Sequence, residues 1–126
     1  MKLASLKTGG RDGTLVVVSR DLSRVTLATS VAPTLRDAIE DWQTSEPVLR
    51  ALEKQLEDGT VDSMPYDPAA LASPLPRTFQ WADGSAYLSH MRLVRKARGV
   101  DMPANSESDP LLYQGGGDRF LGPVDP

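Results

Sequence analysis

The chain has 126 residues, a formal net charge of −3 and no cysteine, which excludes disulfides, thiolate metal sites and cysteine nucleophiles. Its Lys and Arg are interspersed with Asp and Glu, so there is no electrostatic footprint for nucleic acid, and no apolar run has the length of a membrane span or of a signal peptide. One ordinary domain fits this length, or a small domain with part of a second, and a cytoplasmic location is the expectation.

Two or three short strands open the sequence, at Lys2 to Lys7, Leu15 to Ser19 and Val25 to Thr29. Their separators, Gly9-Gly10-Arg11-Asp12-Gly13 and Arg20-Asp21-Leu22-Ser23-Arg24, carry the residues of tight turns and predict an antiparallel meander. Thr34 is placed to cap a helix with Asp37 three positions on, and Leu35, Ala38, Ile39 and Trp42 would form its buried face. A second helix is expected from Ser45-Glu46-Pro47 to Gly59, with the stripe Val48, Leu49, Leu52 and Leu56 against the core. Arg50, Glu53, Lys54 and Glu57 would then face water. No convergent polar cluster is legible between Met1 and Gly59, which assigns that part to folding and packing.

The prolines from Met64 to Arg77 argue against regular structure and read as a linker or as a strap laid over a surface. Phe79-Gln80-Trp81 reads as a short strand leading into Asp83-Gly84-Ser85, followed by a helix from about Ala86 to Arg98 that stops at Gly99. The basic side chains Arg92, Arg95, Lys96 and Arg98 suit the carboxyl end of that helix's dipole, so solvated dipole matching is preferred to anion binding. Leu111-Leu112-Tyr113, the glycines 115 to 117 and Phe120-Leu121 predict strand, turn and short strand, without the Gly-Lys-Ser or Gly-Lys-Thr of a phosphate loop. These last strands are expected to lack partners within the chain.

The only histidine, His90, lies on the predicted helix shortly after Asp83, three residues from Tyr87 on the same face. A carboxylate and an imidazole so placed could be half of a metal-assisted hydrolytic site, although a lone helical His is more often packed or solvated. Asp83, His90 and the run Asp109-Pro110-Leu111-Leu112-Tyr113-Gln114-Gly115-Gly116 resemble, in order and spacing, the start of the catalytic domain in the fumarylacetoacetate hydrolase family. Met1-Lys2-Leu3-Ala4-Ser5-Leu6-Lys7 and Leu15-Val16-Val17-Val18-Ser19-Arg20-Asp21 are similar to the amino-terminal region of bacterial members.

The resemblance implies an α+β fold: a small N-terminal domain of antiparallel strands with two helices, followed by the start of a mainly β fumarylacetoacetase-type catalytic domain. Its expected division is residues 1–77, with a proline-rich linker over about 60–77, and an apparently truncated catalytic segment over 78–126. Family members hydrolyse a carbon–carbon bond in 1,3-dicarbonyl or acylpyruvate substrates, some relatives decarboxylate or isomerise similar acids, and the metal is usually magnesium or calcium. By resemblance Asp83 is a metal ligand, His90 the general base on the attacking water, and Tyr113 and Tyr87 substrate contacts. Ser85 departs from the tyrosine that fumarylacetoacetase-like members carry there, whereas Tyr87 fits the Tyr-x-x-His of acylpyruvate-type relatives.

The family's Glu-x-Glu pair and further aspartate are not found, so the chain reads as the N-terminal part of a longer hydrolase, inactive alone and without a tightly bound metal. The implied partners are a diketo acid and a second copy in a homodimer, with no nucleic acid or membrane. The alternative is a stand-alone interaction or assembly module in which Asp83 and His90 are relics.

Overall fold

The run Leu15-Val16-Val17-Val18 is apolar at every position, and a strand of that kind is stable only where both faces of its sheet are covered. The computed structural model, which describes residues 1–126, places it at the centre of a sheet. The order is β1 (Lys2–Leu6), β2 (Thr14–Val18), β3 (Arg24–Leu27) and β4 (Met64–Pro65), all antiparallel. Leu3 pairs with Val17, Val18 with Val25, and Arg24 with Pro65. The pleat sends Leu15 and Val17 to one face and Val16 and Val18 to the other. The first face packs against Ala38, Leu49 and Leu56 of the helices, the second against Val25, Ala4 and Tyr66.

The turn after β2 is held by side chains. The Ser19 hydroxyl donates to Asp21 Oδ1 at 2.6 Å and accepts from the Ser23 and Arg24 amides, which supports Leu22 at a φ of 59°, a conformation L residues seldom adopt. Hydrogen bonds from Ser19 and then Ser23 lower the Asp21 carboxyl to about 2.

Helix α1 (Leu35–Glu40) begins where expected: Thr34 Oγ1 accepts from the Asp37 amide at 3.2 Å and donates to its carboxylate at 2.6 Å. Leu35 and Ala38 are buried, but Ile39 is half exposed, because six residues of helix present less than two turns to the sheet, and Trp42, half exposed too, falls past the break at Asp41. Helix α2 spans Trp42–Asp58 and so starts three residues before Ser45, with Pro47 inside it. Proline withdraws the amide that Gln43 O would accept, and an exposed first turn leaves that carbonyl to water.

The buried stripe of α2 is Ser45, Leu49, Glu53 and Leu56, turned by one position from expectation, so Val48 is half exposed and Glu53 is not solvated. The Glu53 carboxylate lies 3.4 Å from the amino group of Met1 and 3.7 Å from the Arg20 guanidinium, charges that offset its burial. Gly59 ends the helix at a φ of 69°, and Gln55 and Leu56 carbonyls accept from the residues that follow.

From Met64 onward the proline-rich segment crosses the second face of the sheet from the edge of β3 to the edge of β1. Tyr66 N donates to Ser23 O at one edge, while Lys7 N donates to Ala70 O and Ala72 N to Ser5 O at the other, all at 2.9 Å. The Ser5 hydroxyl reaches Pro74 O at 2.7 Å, and Leu71 is buried beside Leu6. The segment therefore satisfies backbone groups of both edge strands, covers the Val16 and Val18 face, and has no sheet-long ladder of its own.

The chain divides into two compact units, Met1–Thr78 with Asp118–Pro126, and Phe79–Gly117. In the first, the returning residues join the amino-terminal sheet through Lys7 to Asp125 and Arg11 to Asp118, and Phe120-Leu121 forms no strand. Asp12 is the hub of the same turn: Arg77 Nε and Nη2 donate to its two oxygens at 3.0 and 2.6 Å, and Arg36 Nη2 donates at 3.0 Å. The Arg77 hydrogen bond above all holds the Asp12 carboxyl below its usual range. This convergent polar cluster at Asp12 corrects the expectation of none before Gly59, since its partners come from positions 36 and 77. No helix is long and apolar enough to cross a membrane.

The second unit contains β5 (Trp81–Ser85), α3 (Leu88–Ala97) and β6 (Leu111–Gly115). Contrary to expectation, its strands are not orphaned; β5 and β6 pair with each other antiparallel, Trp81 opposite Gly115 and Ser85 opposite Leu111. Met91 is its one buried large apolar side chain.

Candidate functional site

Five residues of β5 alternate across the ribbon, so Trp81, Asp83 and Ser85 share one face with Leu111, Tyr113 and Gly115 of β6. Asp83 stands directly opposite Tyr113, a pairing that puts the two Cβ atoms about 5 Å apart. On the same face the Trp81 and Tyr113 rings meet edge to face, with centroids 6.0 Å apart. Gly115 makes that packing possible: a Cβ there would lie 2.1 Å from Trp81 Cε3. The sequence placed Asp83 in a loop after a strand; it is the central residue of β5, because the strand starts at Trp81 and not at Phe79.

His90 is the third residue of α3, and Tyr87 is the residue capping it, with an extended φ of −84° and its carbonyl accepting from Met91 N at 3.0 Å. Met91 alone on this helix is buried; His90, one position away, projects to solvent, and Tyr87 is 77% exposed. The helix ends at Ala97, two residues before Gly99 with its φ of 66°, and Arg95 and Lys96 stand in the last turn where the dipole favours cations. Arg92 reaches Glu107 at 3.4 Å, a contact exposed on both sides.

The unit thus brings Asp83 and Tyr113 together by strand register; Tyr87, expected on the face of His90, is instead the extended residue ahead of the helix that carries His90. All four are exposed. A carboxylate beside a phenol can accept a hydrogen bond and orient a polar substrate, and an exposed imidazole offers a ring nitrogen to a hydrogen-bond partner. A hard divalent cation takes about six or more oxygen ligands. No group of three or more His, Asp or Glu gathers at metal-holding distance in this chain, so Asp83 by itself does not fit a magnesium or calcium site.

The groups that sequence reasoning missed lie in the first unit. A cavity of about 600 Å³ is lined by Lys7 and Arg11 beside the glycine turn and by Arg119 and Phe120 of the returning segment. Their separations of more than a hundred residues leave no local signal; the paired glycines at positions 9 and 10 were the only trace, and they read as a turn.

A sequence profile for fumarylacetoacetase N-terminal domain 2 matches residues 1–77, which are the sheet, both of its helices and the crossing proline-rich segment. Comparison with curated proteins returns no match.

Proposed function

Since the chain belongs to the fumarylacetoacetase N-terminal domain 2 family, we propose that it is the N-terminal part of a metal-dependent hydrolase that cleaves a carbon–carbon bond in a 1,3-dicarbonyl or acylpyruvate-type acid. Residues 1–77 are the structural domain of that enzyme, and the residues from 78 onward open its mainly β catalytic domain. The observation that carries the reading is the register of β5 and β6, which sets Asp83 beside Tyr113 on one strand face, ahead of Tyr87 at the start of the next helix and His90 within it.

In this reading Tyr113 and Tyr87 contact the diketo acid, His90 takes a proton from the attacking water, and Asp83 contributes one carboxylate to the cation site. Magnesium or calcium, when bound, would stabilise the enolate charge that develops as the carbon–carbon bond breaks. The other ligands come from outside these four residues. A cytoplasmic homodimer acting on a small molecule, with no nucleic-acid or membrane partner, completes the reading.

The test is hydrolysis of an acylpyruvate followed by loss of enol absorbance. The chain alone should give no turnover with Mg²⁺ or Ca²⁺, whereas in an enzyme that contains it together with a full ligand set Asp83→Asn and His90→Ala should each abolish turnover. Turnover by the isolated chain that His90→Ala removes would overturn the incomplete site; full activity of both variants in the complete enzyme would overturn the residue roles.

A non-catalytic assembly module is the second reading. It is favoured by the apolar surface of the second unit, where Phe79 is 86%, Leu93 68% and Leu112 72% exposed. Unchanged self-association or partner capture in Asp83→Asn and His90→Ala, with no activity in any form, would select it.

A further inference from the structure

The cavity beside the glycine turn is lined wholly by residues of the first unit. Its volume of about 600 Å³ is that of sites for small molecules. Three cations line it, Lys7, Arg11 and Arg119, against two carboxylates, Asp118 and Asp125, a local positive excess in a chain whose net charge is −3. Phe120 and Pro76 supply an apolar wall.

Both carboxylates come from the returning segment, and each already sits on one of the cations. Asp118 Oδ1 accepts from Arg11 Nη2 at 2.6 Å, and Asp125 Oδ1 from Lys7 Nζ at 2.5 Å. Two of the three cations thus already hold an oxyanion of the chain itself. The Arg11 to Asp118 pair is 62% and 81% exposed, and a pair so solvated is held weakly enough for another anion to replace. Arg119 donates no hydrogen bond and acts on Asp125 only through its charge. The Gly10 and Arg11 amides donate to no protein group, and a Cβ at Gly10 would meet nothing within 4 Å, so backbone donors on this wall are reachable.

We propose that this cavity is a binding site for a small molecule bearing an oxyanion group, in which Arg11, Arg119 and Lys7 hold the anion and Asp118 is the internal group it displaces. Guanidinium forks match phosphate and carboxylate equally well in geometry, so the oxyanion is the shared chemistry and phosphate and acetate are the two probes.

The experiment is a titration of amide resonances of the 126-residue chain with inorganic phosphate, and separately with acetate, at ionic strength held constant with chloride. Saturable shifts are expected at Gly10, Arg11 and Gly13, with Val16 to Val18 unmoved. Arg119→Ala should weaken binding about tenfold, and Asp118→Asn, which removes the competing charge, should tighten it about tenfold. These opposite directions separate a site from a folding defect. A response to phosphate alone assigns phosphate esters, and a response to acetate as well assigns carboxylates. Shifts that track chloride without saturating, or an affinity unchanged in both variants, would overturn the proposal.

Discussion

Replacing Asp12 by Asn tests whether one carboxylate ties the glycine turn to helix α1 and to the end of the proline-rich segment. The Asp12 side chain is 15% exposed and accepts three hydrogen bonds, two from Arg77 and one from Arg36. Asparagine keeps the shape but turns an amide N–H₂ toward guanidinium donors, so Arg77 loses its counter-charge and Arg36 one of its partners. Charge-assisted hydrogen bonds reach about 1.5–3 kcal/mol, and partial solvent access on the arginine side reduces the sum to ~2 kcal/mol at pH 7. For a domain of this size that is a fall in Tm of about 8–16 °C, measured by far-UV circular dichroism.

The same carboxylate predicts how the difference depends on pH. Its folded-state pKa lies below the ordinary 3.8, chiefly through the Arg77 hydrogen bond. The folded state therefore prefers the ionised form, and the stabilisation is complete above the unfolded value and disappears as pH falls through the folded one. Wild type and Asp12→Asn should differ in full at pH 7 and at pH 5, then converge below pH 3.8. Taking the difference removes the other carboxylates that titrate there, Asp21 among them. A gap that stays constant down to the acid limit, or one under about 0.5 kcal/mol at pH 7, would refute the account.

Two further substitutions probe the two units. Leu49, fully buried against Leu15, Val17, Ala38 and Leu56, should cost about 3–4 kcal/mol when cut to Ala, read as a lower urea midpoint at unchanged slope; a loss under about 1 kcal/mol would mean that the helices do not form the core. Gly115→Ala should drive Trp81 off the strand face, because the new Cβ would stand 2.1 Å from its ring, and so remove the ring-current shift on Tyr113; an unchanged Tyr113 spectrum would mean that the two rings do not meet.

What could be read from the sequence was local. The turns that join β1, β2 and β3 into a meander, the Thr34 and Asp37 cap and the left-handed Gly59 are each set by residues within a few positions, and each lies where it was expected. The family, too, was legible from short stretches of β1 and β2, and the profile match over residues 1–77 bears it out there, while the residues around Asp83 lie beyond that match. The rotation of α2 was not legible. Val48 and Glu53 exchange the expected burial because the carboxylate meets the Met1 amino group and Arg20, and no periodicity within the helix encodes those partners.

The candidate site divides in the same way. The sequence put Tyr87 and His90 on one helix, but the helix begins at Leu88 and leaves Tyr87 extended ahead of it, whereas Asp83 met Tyr113 only through a strand pairing across 30 positions of chain. The Asp12 hub and the cavity of Lys7, Arg11 and Arg119 depend on still longer closures. Backbone sterics and capping hydrogen bonds act over a turn or two, so the sequence by itself determined the opening meander, the two helices after it and the family of residues 1–77. Burial and ion pairing act between whatever surfaces the fold brings together, so only the tertiary structure decided which charges are covered, which are paired and where a cavity is left between them.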